Sequence, residues 1–267
     1  MPITSFPNYQ ILNNSYSTSA PWNMQVARGL VSGCTSINVF AASDNVGTTA
    51  SMGGLQILWE LTGTTAYVFP SSAAQMNLVS TSATDNTTAS VLISGLDTNW
   101  NLISETLALN GTTAVQTVNS YLRVNSISMV TPATGQTSNV GTVTLKNLAN
   151  TVTYARITIG YGRTAMSIYS VPSGYTLYVG NINIFSGDAS GNSAYVNYQA
   201  KTTNNNVSPA NTITALNTTF GGAYQVPRSN PFPYTQKSDV QWQFSVNTGT
   251  HSVGLVLEGI LISNTAS

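Results

Sequence analysis

The sequence predicts an all-β protein, an antiparallel β-sandwich of jelly-roll type, on three observations. Short runs rich in Val, Ile, Thr and Tyr, several with a two-residue period, recur along the 267 residues. Gly, Asn, Ser and Pro punctuate them at close spacing, as hairpins and sheet crossings require. Stretches of Ala, Leu, Glu, Lys and Arg at helical spacing are nearly absent.

The strand series opens with residues 36–40 and 55–59 and continues through 90–93 and 105–109. Residues 121–130 alternate apolar and polar side chains over ten positions, the mark of a half-buried strand. Strands at 140–145, 156–159 and 165–171 follow. Pro172-Ser173-Gly174 then turns the chain, since Pro fixes φ and Gly accepts positive φ. Strands are expected at 175–179 and 181–185, a hairpin-type turn at 187–192, and further strands at 194–199, 240–246 and 253–262. Residues 1–30, 41–53 and 202–235 read as irregular, the last through Asn204-Asn205-Asn206 and the prolines Pro227, Pro231 and Pro233. A loop that long is usually an interaction surface. The expected organisation is an N-terminal arm (1–35) and two tandem sandwiches (36–155 and 156–267), the second a jelly roll.

Apolar residues make up 42% of the chain, enough for a sizeable core, while charged residues make up only 6%, against about 25% in an average soluble domain. Lys plus Arg equals Asp plus Glu at eight each, so there is no electrostatic footprint for nucleic acid or an anionic membrane. No apolar run approaches the roughly 20 residues of a bilayer span. Residues 1–30 lack the basic-then-apolar order of a signal peptide, which makes synthesis in the cytoplasm the expectation. Cys34 is the single cysteine, leaving no intrachain disulfide and no cysteine metal cluster. A neutral surface of hydroxyls and amides suits packing against copies of the same chain.

Candidate chemistry is sparse. The sole histidine, His251, lies in residues 247–252, which read as a hairpin loop, so a Ser-His-Asp system would have to use it there. A carboxylate pair would be drawn from Asp44, Glu60, Asp85, Asp97, Glu105, Asp188, Asp239 and Glu258. Asp85, Asp97, Asp188 and Asp239 stand in turn contexts, where Asp commonly caps its own backbone. Glu60, Glu105 and Glu258 lie on or beside strands, where Arg123 or Arg156 is a natural partner. Ser43-Asp44-Asn45 and residues 187–192 offer hard oxygens for calcium but match no EF-hand spacing. No cofactor or metal is assigned. Trp22, Trp59, Trp100 and Trp242 are the large aromatics; Trp100, in a turn, is the candidate glycan contact because core packing is the default for aromatics inside strands.

Two stretches carry a resemblance. Residues 93–115 include Gly95-Leu96-Asp97, Asn99-Trp100-Asn101, Ser104-Glu105-Thr106 and Leu109-Asn110-Gly111-Thr112-Thr113. Residues 165–179 carry Ile168-Tyr169 and Pro172-Ser173-Gly174-Tyr175-Thr176. Together with 237–242 and 257–262, they resemble jelly-roll virion structural proteins of marine and cyanobacterial tailed bacteriophages, over most of residues 90–262. The resemblance implies a non-catalytic virion protein, a head decoration, cement or knob protein, with no catalytic residue to carry over. Its implied partners are its own copies, most readily as a trimer, and the major capsid protein or another virion protein. A tail- or fibre-associated protein and a glycan-binding attachment module are the alternatives. On the residues alone, Asn110-Gly111 is a favoured type I′ hairpin signal.

Overall fold

Alternating side chains decide which strands can share a core, and here they sort the chain into two. The computed structural model describes residues 21–48, 55–59, 66–187, 196–205, 211–217, 222–247 and 249–265. A short helix, α1 (Trp22–Ala27), precedes β1 (Cys34–Gly47) and β2 (Gln56–Ile57). Seven strands follow: β3 (Met76–Ser80), β4 (Ser90–Leu96), β5 (Leu102–Ala108), β6 (Val115–Gln116), β7 (Arg123–Thr131), β8 (Val143–Asn147) and β9 (Thr153–Ile157). The chain closes with β10 (Ile168–Ser170), β11 (Tyr175–Gly187), β12 (Val196–Asn204), β13 (Asn211–Asn217), β14 (Gly222–Tyr234), β15 (Ser238–Val246) and β16 (Thr250–Ser263).

One sandwich packs the sheet β1-β16-β11-β14 against the sheet β10-β15-β12-β13. Read in chain order, these eight strands cross between sheets at every step except the β12–β13 hairpin, forming two Greek keys, which is jelly-roll topology. Its core takes every second residue of β15 (Val240, Trp242, Phe244, Val246) and of β16 (Val253, Leu255, Leu257), packed on Val39, Ala41, Tyr198 and Ala200. In β11 the inward set runs Leu177, Val179, then Ile182, Ile184. The register against both neighbours shifts between Val179 and Asn181, so a bulge at Gly180 resets the phase and keeps both pairs inside.

The second sandwich packs the sheet β6-β3-β8-β9 against β5-β4-β7 around Leu78, Val91, Ile93, Ile127, Val143 and Leu145. It is nested within the first. β2 pairs β15 at Gln56↔Phe244 and Ile57↔Gln243, and β10 pairs it at Ile168↔Gln241. Between these positions the Ser167 carbonyl accepts from the Trp242 amide at 2.9 Å. β2 and β10 are thus two halves of one edge strand in continuous register, and about a hundred residues are inserted into it.

The expected division at residue 155 is therefore corrected. β1 and β2 fall before it, yet they pair with β16 and β15, because ladder partners are set by core-facing pattern and not by sequence proximity. Two expected loops are largely strands. β1 runs through 41–47, and 202–235 holds the end of β12 with β13 and β14. β14 tolerates its prolines because it is the edge of its sheet. In the expected arm, α1 is the regular element and residues 1–20 lie outside the described residues. Asn110-Gly111 does not close a hairpin: β5 pairs β4 whereas β6 pairs β3, so this turn carries the chain between sheets. The expected hairpin at 247–252 is not one either, because β15 and β16 lie in opposite sheets and β16 already begins at Thr250.

A close approach at Gly95 ties β4 to β7. A Cβ there would lie 2.1 Å from the Arg123 carbonyl oxygen and 2.8 Å from Tyr121 Cδ1. Gly95→Ala is expected to destabilise the protein by about 2–3 kcal/mol. Gly47→Ala, whose added carbon meets only the end of Gln56 at 3.7 Å, is expected to stay within about 0.5 kcal/mol of the parent. Urea unfolding of the two variants tests the difference.

Candidate functional site

The seam between the sandwiches gathers the charged and aromatic groups that the sequence left scattered. Strand β10 lies in it with both faces covered: Ile168 joins the inserted core and Tyr169 the jelly-roll core. Leu58 and Trp59 divide the same way, as strand alternation requires.

Arg123, the first residue of β7, reaches Asp239 near the start of β15. Its Nε donates to Oδ1 at 2.9 Å and Oδ2 at 3.0 Å, and Nη2 donates to Oδ2 at 2.9 Å. Nη1 donates to the carbonyls of Pro70 (3.0 Å) and Leu122 (2.9 Å). The guanidinium carbon lies 5.0 Å from the Phe69 ring centre and 4.9 Å from that of Trp100. Asp239 also accepts from Ser170 Oγ at 2.6 Å and Asn205 Nδ2 at 3.2 Å. Both ions are buried. Burial of a lone charge would be prohibitive, and this pair is tolerated because nearly every donor and acceptor is used. One guanidinium and one carboxylate meet in paired bonds of fixed geometry, so the arrangement acts as a clamp.

Trp100 belongs to this clamp, and the exposure expected of it is not found. It is 8% exposed, has φ of 66°, and accepts the Ser173 amide on its carbonyl at 2.8 Å. Its ring is covered by Arg123, which withholds the open face that a sugar needs. Trp59 and Trp242 are core residues, whereas Trp22 on α1 is 41% exposed.

The described carboxylates are dispersed. Asp85, fully buried, accepts from Ser80 Oγ (2.6 Å) and from the amides of Val140 (2.9 Å) and Gly141 (2.8 Å), joining two loops of the inserted sandwich. Glu105 accepts from the amides of Val118 and Asn119. Glu258, exposed on β16, takes a 3.4 Å contact from Asn181 Nδ2. Asp97 accepts from the amides of Asn99 (2.7 Å) and Asn101 (2.9 Å) and from Asn101 Nδ2 (3.1 Å). Burial alone would raise its pKa, but the bonds from Asn101 and Asn99 outweigh it and hold the carboxyl below its ordinary value. Glu60 and Asp188 lie outside the described residues.

His251 is not on a loop. It stands in β16 opposite Val46 and is 7% exposed. Asp44 and Asn45 lie in β1 at a register shift, where the Asn45 amide donates to Ser43 Oγ at 3.3 Å. Of the second candidate calcium segment, 188–192 lie outside the described residues. Among the described residues no three His, Cys, Asp or Glu side chains cluster, and no helix is long and apolar enough to cross a membrane.

Removing one partner of the clamp leaves the other buried without its counter-charge. Arg123→Met is expected to cost about 3–5 kcal/mol. Adding Asp239→Asn removes the stranded charge, so the double variant should be the more stable of the two in a urea or thermal melt. For Asp97 the sign follows from a folded pKa below the unfolded value near 3.8. Its contribution is complete above that value and is lost as pH falls through the folded one. Asp97→Asn should destabilise at pH 7, and the gap from the parent should narrow as the pH falls below 3.8.

No family model and no curated protein matches the chain. Among solved structures it is similar to one of the infectious bursal disease virus Gx strain, at 11% identity and a TM-score of 0.26, covering 87% of this chain and 70% of that one. It is similar also to T=1 particles derived from infectious bursal virus (9% identity, TM-score 0.26, covering 88% and 71%). A third is a VP2 subviral particle of infectious bursal disease virus (11% identity, TM-score 0.25, covering 87% and 68%). At such scores the fold rests on the strand order above.

Proposed function

We propose that the chain is a non-catalytic structural protein of a bacteriophage virion, a head decoration or cement protein that works as a homotrimer. The observation that carries this reading is an eight-stranded jelly roll in a chain with a charged fraction of only 6%. Hydroxyl and amide side chains fill most of its polar positions. Such surfaces associate without charge repulsion and without dependence on salt. Asp85, Asp97, Asp239 and Glu105 spend their oxygens on the protein's own donors, which agrees with a building block. The resemblance of residues 93–115 and 165–179 to phage virion proteins points the same way. Partners on this reading are its own copies and the major capsid protein.

Two measurements test it. Sedimentation of the purified chain should give a trimer that persists in about 1 M salt, where Coulombic contacts are screened; a monomer at all concentrations would remove the trimer. Cryo-electron microscopy of the particle should place the chain on the head, and density on the tail alone would defeat the head assignment.

A further inference from the structure

A cleft of about 330 Å³ opens between β1 and the inserted sandwich. Six consecutive residues of β1, Thr35 to Phe40, line it. Side chains of a strand alternate between faces, so lining by consecutive residues means that the strand's edge looks into the cleft. β1 is the terminal strand of its sheet, and among the described residues the main-chain groups on that edge at 35–40 have no ladder partner. Ser94, Asn125, Ser126, Thr164 and Arg163 line the cleft from the inserted sandwich. Arg163 is its single charged group. No carboxylate lines the cleft, and among the described residues Arg163 forms no ion pair. Its guanidinium carbon stands 5.8 Å from the centre of the Phe40 ring.

We propose that this cleft binds the carboxylate-bearing ring of an acidic glycan, a uronate or sialate unit. One unpaired arginine matches one carboxylate, and its planar fork suits that group in two parallel bonds. The remaining polar lining is neutral, with donors and acceptors mixed, as ring hydroxyls need. A phosphate would call for more than one cation. The volume is at the lower end for small-molecule sites. This inference is independent of the virion reading and stands or falls separately.

Calorimetric titration of the full chain with sialyllactose, trigalacturonate, lactose and an acidic hexapeptide tests it. Saturable binding of at least one acidic sugar, with none of lactose, is expected. Arg163→Ala should weaken that binding roughly tenfold or more, Ser36→Trp should abolish it by filling the cleft, and Lys146→Ala on β8 should leave it unchanged. Circular dichroism of each variant verifies folding, and Arg163 is exposed enough for its truncation to leave the fold intact. Absence of saturable binding by both acidic sugars overturns the proposal. So does lactose binding as tightly, an Arg163→Ala variant that binds like the parent, or capture of the acidic peptide in place of the sugars.

Discussion

The buried pairing of Arg123 with Asp239 is the constraint to which the rest of the molecule answers. Two separate cores meet along a narrow seam, and hydrophobic contact alone is non-directional, so it would leave their relative orientation loosely fixed. A guanidinium held by a carboxylate, two carbonyls and two aromatic rings has one geometry that satisfies it. Gly95 lets the Arg123 backbone approach, Ser170 and Asn205 complete the carboxylate, and Trp100 accepts an unusual backbone conformation to cover the cation.

Charge is otherwise scarce, and several of the carboxylates serve the fold itself. Asp85 joins loops, Glu105 holds the 118–119 amides, and Asp97 shapes the turn that presents Trp100. Turn-forming carboxylates and neutral sheet faces are two expressions of one design, in which polar groups are satisfied locally and the outer surface is left without strong fields.

Much of this was legible in the sequence. The runs read as strands include β7, β15 and β16, each with one face in a core, whereas the expected strands 175–179 and 181–185 are one strand, β11, bulged at Gly180. The segment 93–115 also folds as read as far as β5: β4 ends at Leu96, Asp97 to Asn101 turns, and β5 returns antiparallel. Elements failed where strands carry loop chemistry. β13 and β14 carry Asn, Thr and Pro, residues that also mark turns, and each is the terminal strand of its sheet. Nesting was invisible because β2 and β10 are too short to announce that they are one strand. The Arg123–Asp239 clamp left only a faint trace: an arginine within an alternating run, and an aspartate leading a strand that reads as a turn residue when its partner is 116 positions away.

The divided edge strand has a consequence for how such a protein changes over time. The chain departs at Leu58 and resumes at Ser167, and these two residues bond each other, amide to hydroxyl at 2.8 Å and amide to carbonyl at 2.7 Å. Departure and return are therefore adjacent, and whatever hangs between them needs only neighbouring ends to be accommodated. The jelly roll is a socket. Its inserted sandwich can be lengthened, reshaped or replaced by recombination while the eight-stranded frame keeps its own register, so the ornament can diversify far faster than the frame that carries it.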